Sequence, residues 1–439
     1  SFPSSLDSIG NYAFYSCNNL SAVVSKIQTP FTISQSVFGI GSNGSYDNSG
    51  NWVYTYTPSP AILYVPDGTK ASYDATEGWK GMFAEIIEGE PKEITYDGLN
   101  YVYVEGKGIA TVVGMADTYI RKVIIPSTLP VGDANYNVKT IATSAFQERT
   151  NIDTLIIQSG IETIGKNAFQ YCYNMKSITI PEGVKTIGEN AFYNNGTWGN
   201  GLRTITLPSS LDSIGNNAFE YCNNLTYVVS KIQNPFVISE TVFRSSTSAT
   251  LYVPIGTATT YQQTTGWNKF AEIVEGELKE TTYEGLNYTY VEGKGTATVV
   301  GRADTEMRKI SIPSTLPVGS VNYSVKAIER GAFRDCNIDT LIIASGVETI
   351  GYDAFNYCWN LKKIELSSTL KTIADQAFYN CDAIKRIELP SSLDSIGSQA
   401  FYSCDNLMIV VSKIQTPFKI NTNVFVNDGE KSSAVLYTT

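Results

Sequence analysis

The sequence predicts a mostly β repeat protein of the α/β repeat class, a solenoid built in blocks and capped by β-hairpins. Three observations carry this. An Ala-Phe pair returns with its ring at Phe14, Phe146, Phe169, Phe192, Phe219, Phe333, Phe355, Phe378 and Phe401, at steps of 22 or 23 residues within each cluster and one step of 27. Between the pairs run short stretches in which apolar and polar residues alternate. All seven cysteines lie three residues after one of these rings.

One coil explains the pattern. Met175-Lys176-Ser177-Ile178-Thr179-Ile180 alternates with period two, so it reads as a strand with Ile178 and Ile180 inward. Pro181-Glu182-Gly183 turns the chain, and Val184 to Ile187 gives a second extended piece. Asn190-Ala191-Phe192 reads as a short helical or 3₁₀ turn that drops Phe192 into the core. A single coil cannot bury its apolar side. Stacked coils can, because each strand then pairs with a neighbour about 4.8 Å away. A period in the twenties matches leucine-rich repeat solenoids. The step of 27 residues carries a local insertion around Gly196-Thr197-Trp198-Gly199.

The cysteines follow the same frame: Cys17, Cys172, Cys222, Cys336, Cys358, Cys381 and Cys404, with Asn195 at that position after Phe192. There is no C-x-x-C pair, and the count is odd. Cysteines stacked in parallel would keep their Cβ atoms near the coil spacing of about 4.8 Å, slightly beyond comfortable disulfide reach. The expectation is a column of buried, free, slow-reacting thiols, one per coil, and neither metal sites nor disulfides.

A longer period of 187 residues encloses the coils: "YDGLNYVYVEGKGIATVVGMADT" at 96 returns as "YEGLNYTYVEGKGTATVVGRADT" at 283. "VVSKIQ" appears at 23, 228 and 410, and "LYVPDGT" at 63 matches "LYVPIGT" at 251. The expected organisation is the later part of one unit with its cap (1–95), a complete unit (96–282), and a third with a shortened end cap (283–439). A hairpin, Tyr288 to Val291, turn Glu292-Gly293-Lys294-Gly295, Thr296 to Val300, should cover the first coil of a unit. The "LYVP…GW…F" segment should cover the last, since an open coil exposes apolar surface and unpaired strand edges. Pro91-Lys92-Glu93 and Leu278-Lys279-Glu280 are the expected joints, short enough for close docking.

The repeat, as in "LPSSLDSIGNNAFEYCNNL" and "IPEGVKTIGENAFYNN", resembles the BspA-like leucine-rich repeats of bacterial and protozoan surface proteins. The resemblance covers the repeat blocks of all three units, and A-F-x-x-C-x-x-L is its most specific signature. It implies a right-handed solenoid on or outside the cell, with adhesion to host matrix proteins or to other bacteria. It brings no catalytic or ligand residue: Phe169, Cys172 and Ile178 are structural in it.

Composition narrows the function classes. The 439 residues carry a net charge of −10 and a pI of about 4.8, which argues against nucleic acid and anionic membranes as partners. No histidine is present, so Ser-His-Asp and Cys-His arrangements and imidazole zinc sites are excluded. Apolar runs are as short as Val123-Ile124-Ile125, so no transmembrane segment is expected in this chain. The chain starts at Ser1 with no visible signal peptide and reads as a processed or trimmed product. The carboxylates Glu189 and Asp375 fall at one offset within their coils, as turn residues do, and no P-loop spacing is present. The expected protein is not an enzyme and needs no cofactor.

A partner must therefore be met by outward positions. In the middle unit these are Thr154 and Ile156, Ser177 and Thr179, Thr204 and Thr206, Tyr227 and Val229, an uncharged strip. In the last unit Lys363 and Glu365, Arg386 and Glu388 make a charged one, with like charges side by side and diagonal pairing as the expected relief. The insertion at 39–60 offers Trp52, Tyr54 and Tyr56, which either stack on sugars or bury against their own coil. Asp47, Asn48 and Asn51 lack the ligand order of a calcium loop. The leading expectation is a cell-surface or secreted adhesion protein that binds proteins of host or bacterial surfaces. The alternative is a carbohydrate-binding module that uses the insertion.

Overall fold

The computed structural model describes residues 1–17, 20–46, 52–195, 201–427, 430–431 and 433–438. They form two compact units, Ser1–Glu275 and Gly276–Thr439. The Gly196-Thr197-Trp198-Gly199 insertion lies outside the described residues.

Each full coil has three walls. The first is the parallel sheet that the alternating stretches predict. In Ser1–Glu275 it runs through Lys122–Ile125 and Thr154–Ile157, then through Ser177–Thr179, Thr204–Leu207, Tyr227–Ser230, Thr250–Val253 and Glu272–Glu275. In Gly276–Thr439 it runs through Lys309–Ile312, Thr340–Ile343 and Lys363–Glu365, then through Arg386–Leu389, Ile409–Ser412 and Val435–Thr438. Ile178 and Ile180 are buried, as their alternation requires. The second wall is a ladder of two-residue strands, Thr163–Ile164, Thr186–Ile187 and Ser213–Ile214, repeated as Thr349–Ile350, Thr372–Ile373 and Ser395–Ile396. A glycine follows most of these isoleucines because the preceding coil passes too close for a side chain. A Cβ on Gly215 would lie 2.3 Å from the Glu189 nitrogen.

The third wall differs from the helical turn expected for the Ala-Phe segments. It consists of turns in which the residues two before and two after each ring are left-handed, such as Asn190 (φ 54) and Asn194 (φ 53) around Phe192. Asn tolerates that conformation, which is the local reason it recurs at 167, 190 and 217. Alternate turn N–H groups close on their own segment, as Ala168 and Gln170 do, and the others cross to the neighbouring coil. Asn167, Phe169 and Tyr171 donate to the carbonyls of Glu189, Ala191 and Tyr193 of the next coil at 2.9, 2.7 and 3.1 Å. A helix would have consumed those donors internally; here they form a third coil-to-coil ladder.

Inside the walls the rings stack. Phe146, Phe169, Phe192, Phe219 and Phe243 follow one another at 5.1 to 5.2 Å with planes within 11°. Phe333, Phe355, Phe378, Phe401 and Phe425 do so at 5.2 to 5.3 Å and 6°. Each column is one ring longer than the Ala-Phe pairs suggest, because Val replaces Ala before Phe243 and Phe425.

The caps close the columns. At the start of a block the expected hairpin is part of a three-stranded antiparallel sheet: Pro91–Tyr96, Leu99–Val104 and Ile109–Met115, and again Leu278–Tyr283, Leu286–Val291 and Thr296–Arg302. Pro91-Lys92-Glu93 and Leu278-Lys279-Glu280, the expected joints, begin cap strands whose backbones pair with the hairpin. At the end of a block, helix Ala258–Gln263 and 3₁₀ turn Trp267–Lys269 bring Tyr261, Trp267 and Phe270 over Phe243. Tyr261 Oη donates to the Ile232 carbonyl at 2.8 Å and Trp267 Nε1 to that of Phe236 at 2.8 Å. Tyr73, Trp79 and Phe83 repeat the arrangement over Phe38.

The thiols run beside the rings and serve the same stack. Cys172 Sγ donates to the Phe146 carbonyl at 3.1 Å, and Cys222, Cys358, Cys381 and Cys404 do so to the Phe of the preceding coil at 3.1 to 3.3 Å. Burial pushes the thiols of Cys172, Cys222 and Cys404 up to about 12. Two cysteines depart from the expected buried column: Cys17 is exposed and Cys336 is half-buried. Cys336 lies in the first coil of its block, where no Phe carbonyl of a preceding coil accepts its thiol. Thiol counting on the native protein should therefore find Cys17 fast and Cys336 slow, with the other five reacting only after unfolding. Labelling of those five in the folded state would contradict the packing.

Candidate functional site

On the first wall of Ser1–Glu275, Thr154, Ile156, Ser177 and Thr179 are exposed, and Thr204 and Thr206 are half-buried. Tyr227 corrects the expectation. It sits in register with Ser177 and Thr204 but is only 7% exposed, because its ring meets Tyr252 of the next strand edge-on at 5.7 Å. Alternation sets direction, and a large neighbour can still cover an outward side chain. The wall is interrupted between Thr154–Ile157 and Ser177–Thr179, which do not pair.

On the first wall of Gly276–Thr439 the interruption falls elsewhere, between Lys363–Glu365 and Arg386–Leu389. These are the strands whose outward residues set Lys363 beside Arg386 and Glu365 beside Glu388. Like charges facing across a ladder disfavour pairing, although the other unit's interruption has no such charges, so charge is not the sole cause. Among these four residues the relief is not diagonal. Lys363 pairs with Glu365 on its own strand at 2.7 Å, Arg386 pairs with Glu388 on its own strand, and Lys413 reaches Glu388 at 3.0 Å. Hydrogen bonds from Arg386, then Lys413, hold the Glu388 carboxyl below its ordinary range. Where the strands part, a cleft of about 540 Å³ opens. Its lining includes Ile364, Leu366 and Leu389 beside Lys362, Lys363, Glu365, Arg386, Glu388 and Lys413.

The insertion forms an antiparallel hairpin, Ser42–Tyr46 with Trp52–Tyr56. Its rings divide. Trp52 and Tyr54 are 52% and 54% exposed. Tyr56 turns back onto its coil, edge-on to Tyr12 and Tyr15, with its hydroxyl 3.2 Å from that of Tyr12. That hydrogen bond pushes its phenol up to about 12. Asp47, Asn48 and Asn51 lie outside the described residues.

Glu189 and Asp375 tie neighbouring coils. Glu189 pairs with Lys166 at 3.0 Å, and Asp375 accepts from the Ser398 N–H at 2.6 Å. The second wall adds a charge ladder that sequence reading missed. Glu162 stands between Lys139 and Lys185 at 2.7 and 3.0 Å, and Glu348 between Lys326 and Lys371, both at 2.6 Å. The signal was Lys before one Thr-Ile pair and Glu before the next. The hydrogen bonds from Lys326 and Lys371 lower the Glu348 carboxyl to about 2. A folded value below the unfolded one means a contribution present above pH about 4.5 and lost as pH falls toward about 2. Denaturation midpoints of Glu348→Gln should therefore change less across that window than those of the parent protein. An identical pH profile would count against the ladder.

Sequence reading also missed Asp353, which is 3% exposed and stands where five of the eight other coils carry Asn or Gln. Arg334 and the Asn356 amide neutralise and bind it. Among the described residues no group of three or more His, Cys, Asp or Glu could hold a metal, and no helix is long and apolar enough to cross a membrane.

The family model for the BspA type leucine-rich repeat region matches in six copies across residues 1–45, 133–264 and 305–432. A leucine-rich cell surface protein of Faecalibacterium prausnitzii A2-165 is 19% identical with a TM-score of 0.37, over 80% of this chain and 95% of that one. The pneumococcal vaccine antigen PcpA is 19% identical with a TM-score of 0.36, over 80% and 89% of the two chains. A leucine-rich repeat protein of Bacteroides ovatus ATCC 8483 is 19% identical with a TM-score of 0.27, over 75% and 99%. Comparison with curated proteins gives no match.

Proposed function

This chain belongs to the BspA-type leucine-rich repeat family, and on that premise we propose that it is a non-catalytic interaction protein of the cell surface or extracellular space. It binds proteins on host or bacterial surfaces through the outer faces of its first-wall sheets. The observation that supports this is the contrast between its two units. The stack, rings and caps repeat, whereas the outward strip is uncharged in one unit and charged and cleft in the other. Residues that differ where the core does not need them are the ones available for recognition. The joint replacement of Lys363, Glu365, Arg386 and Glu388 by Thr should reduce binding to a partner found in a panel of matrix proteins, mucins and bacterial surfaces by tenfold or more, with the thermal midpoint held. Unchanged binding would show the strip to be inert, and a flat panel would remove the reading.

A second reading is supported by the exposure of Trp52 and Tyr54. Rings of this kind stack on the apolar faces of sugars, and a glycan array repeated with Trp52→Ala tests it. Glycan binding that persists in the variant would exclude the hairpin.

A further inference from the structure

Resting on the interaction reading above, we infer that the cleft between Lys363–Glu365 and Arg386–Leu389 binds an extended acidic peptide segment. Three observations select this ligand. The first is charge. Four cations, Lys362, Lys363, Arg386 and Lys413, line the cleft against two carboxylates, Glu365 and Glu388. The surplus is positive on a chain whose net charge is −10. The ion pairs that occupy these groups are 45% to 63% exposed on every side chain. Solvent screening leaves such pairs weak, so an incoming carboxylate can replace Glu365 or Glu388 at little cost.

The second is backbone. Within each first-wall run the strands pair in parallel, but no backbone hydrogen bond joins Lys363–Glu365 to Arg386–Leu389. Both strand edges therefore face the cleft, and an extended peptide meets such edges with its own N–H and C=O groups. The third is the floor. Ile364, Leu366, Leu389 and Pro390 are aliphatic or cyclic, and no aromatic ring lines the cleft. That floor suits an apolar peptide side chain between two acids. It lacks the flat π-face on which sugar rings stack.

The register fixes the pattern. Lys363 and Arg386 stand at one end of the two strands and Glu365 and Glu388 at the other, with Ile364 and Ile387 between them. Side chains on one face of an extended peptide recur every second residue. A segment with an acid over the Lys363–Arg386 end and a second acid toward Lys413 satisfies the cations, and its intervening residues meet Ile364 and Leu366.

The test is fluorescence anisotropy on the full chain with three labelled probes of similar length: an Asp/Glu-rich peptide with interspersed Val, its Lys/Arg counterpart, and a sulfated oligosaccharide. The acidic peptide should bind, and weaken severalfold between 50 and 300 mM salt, as screening of exposed charges requires. Lys363→Glu with Arg386→Glu should cut its affinity tenfold or more, while Lys122→Glu, on the other unit, leaves it unchanged. Circular dichroism confirms that the double variant is folded. No binding of the acidic peptide, equal binding of the basic one, or indifference to the double variant would overturn the inference. Oligosaccharide binding lost in the double variant, without peptide binding, would overturn it in favour of a glycan. If an intact protein partner depends on the strip while the acidic peptide does not bind, the inference fails and the interaction reading stands.

Discussion

Phe378→Ala should destabilise the unit Gly276–Thr439 by about 3–5 kcal/mol, the usual range for truncating a buried Phe. The ring is fully buried and stacks on Phe355 and Phe401 at 5.2 Å and 6° on both sides. Its loss removes two aromatic contacts, each worth about 0.5–1.5 kcal/mol beyond burial. It also opens a void that the neighbouring coils cannot fill, because Thr372–Ile373 and the Phe378 N–H hold their spacing. A solenoid draws its stability from nearest-neighbour interfaces, so a central coil weakens two of them. Urea denaturation followed by circular dichroism measures the effect. A loss below about 1 kcal/mol would show that the ring column contributes little.

Asn195→Ala should cost about 2–6 kcal/mol, since it leaves two buried groups unsatisfied at about 1–3 kcal/mol each. Asn195 stands where seven other coils of the frame carry a thiol, and it does two jobs. Its Nδ2 donates to the Phe169 carbonyl at 2.9 Å, as a thiol does elsewhere, and its Oδ1 accepts the Cys172 N–H at 2.7 Å. Alanine leaves both backbone groups without a partner. Asn195→Cys restores the donor to Phe169, so under reducing conditions it should lose distinctly less than alanine. Equal losses for the two variants would mean that the carbonyl contact contributes nothing.

Much of the stack was legible. Ile178 and Ile180 announced their burial by alternation, and the Ala-Phe spacing announced the ring column. What the spacing could not show was the backbone of the turn wall. An apolar pair flanked by polar residues fits a helical turn equally well, and the left-handed state of Tyr171 or Tyr221 has no signal in the residue itself. Phe243 and Phe425 escaped because Val takes the place of Ala beside them. The candidate site was half legible. The like charges at Lys363 and Arg386 could be aligned from the repeat, but the parting of their strands depends on a ladder that sequence does not reveal. Tyr227 was misjudged for the opposite reason, since its cover comes from Tyr252 on another coil.

The third wall has one further consequence. The donors that leave a turn point toward the following coil and the acceptors they meet face the preceding one, so every junction presents the same pair of surfaces, one giving and one receiving. Such a chain can change length only in whole steps. Excising one complete turn of the spiral rejoins a matching pair, whereas excising a fraction sets donor against donor. Duplication and loss in a gene of this kind would therefore be heard by selection as counts of turns rather than as counts of residues.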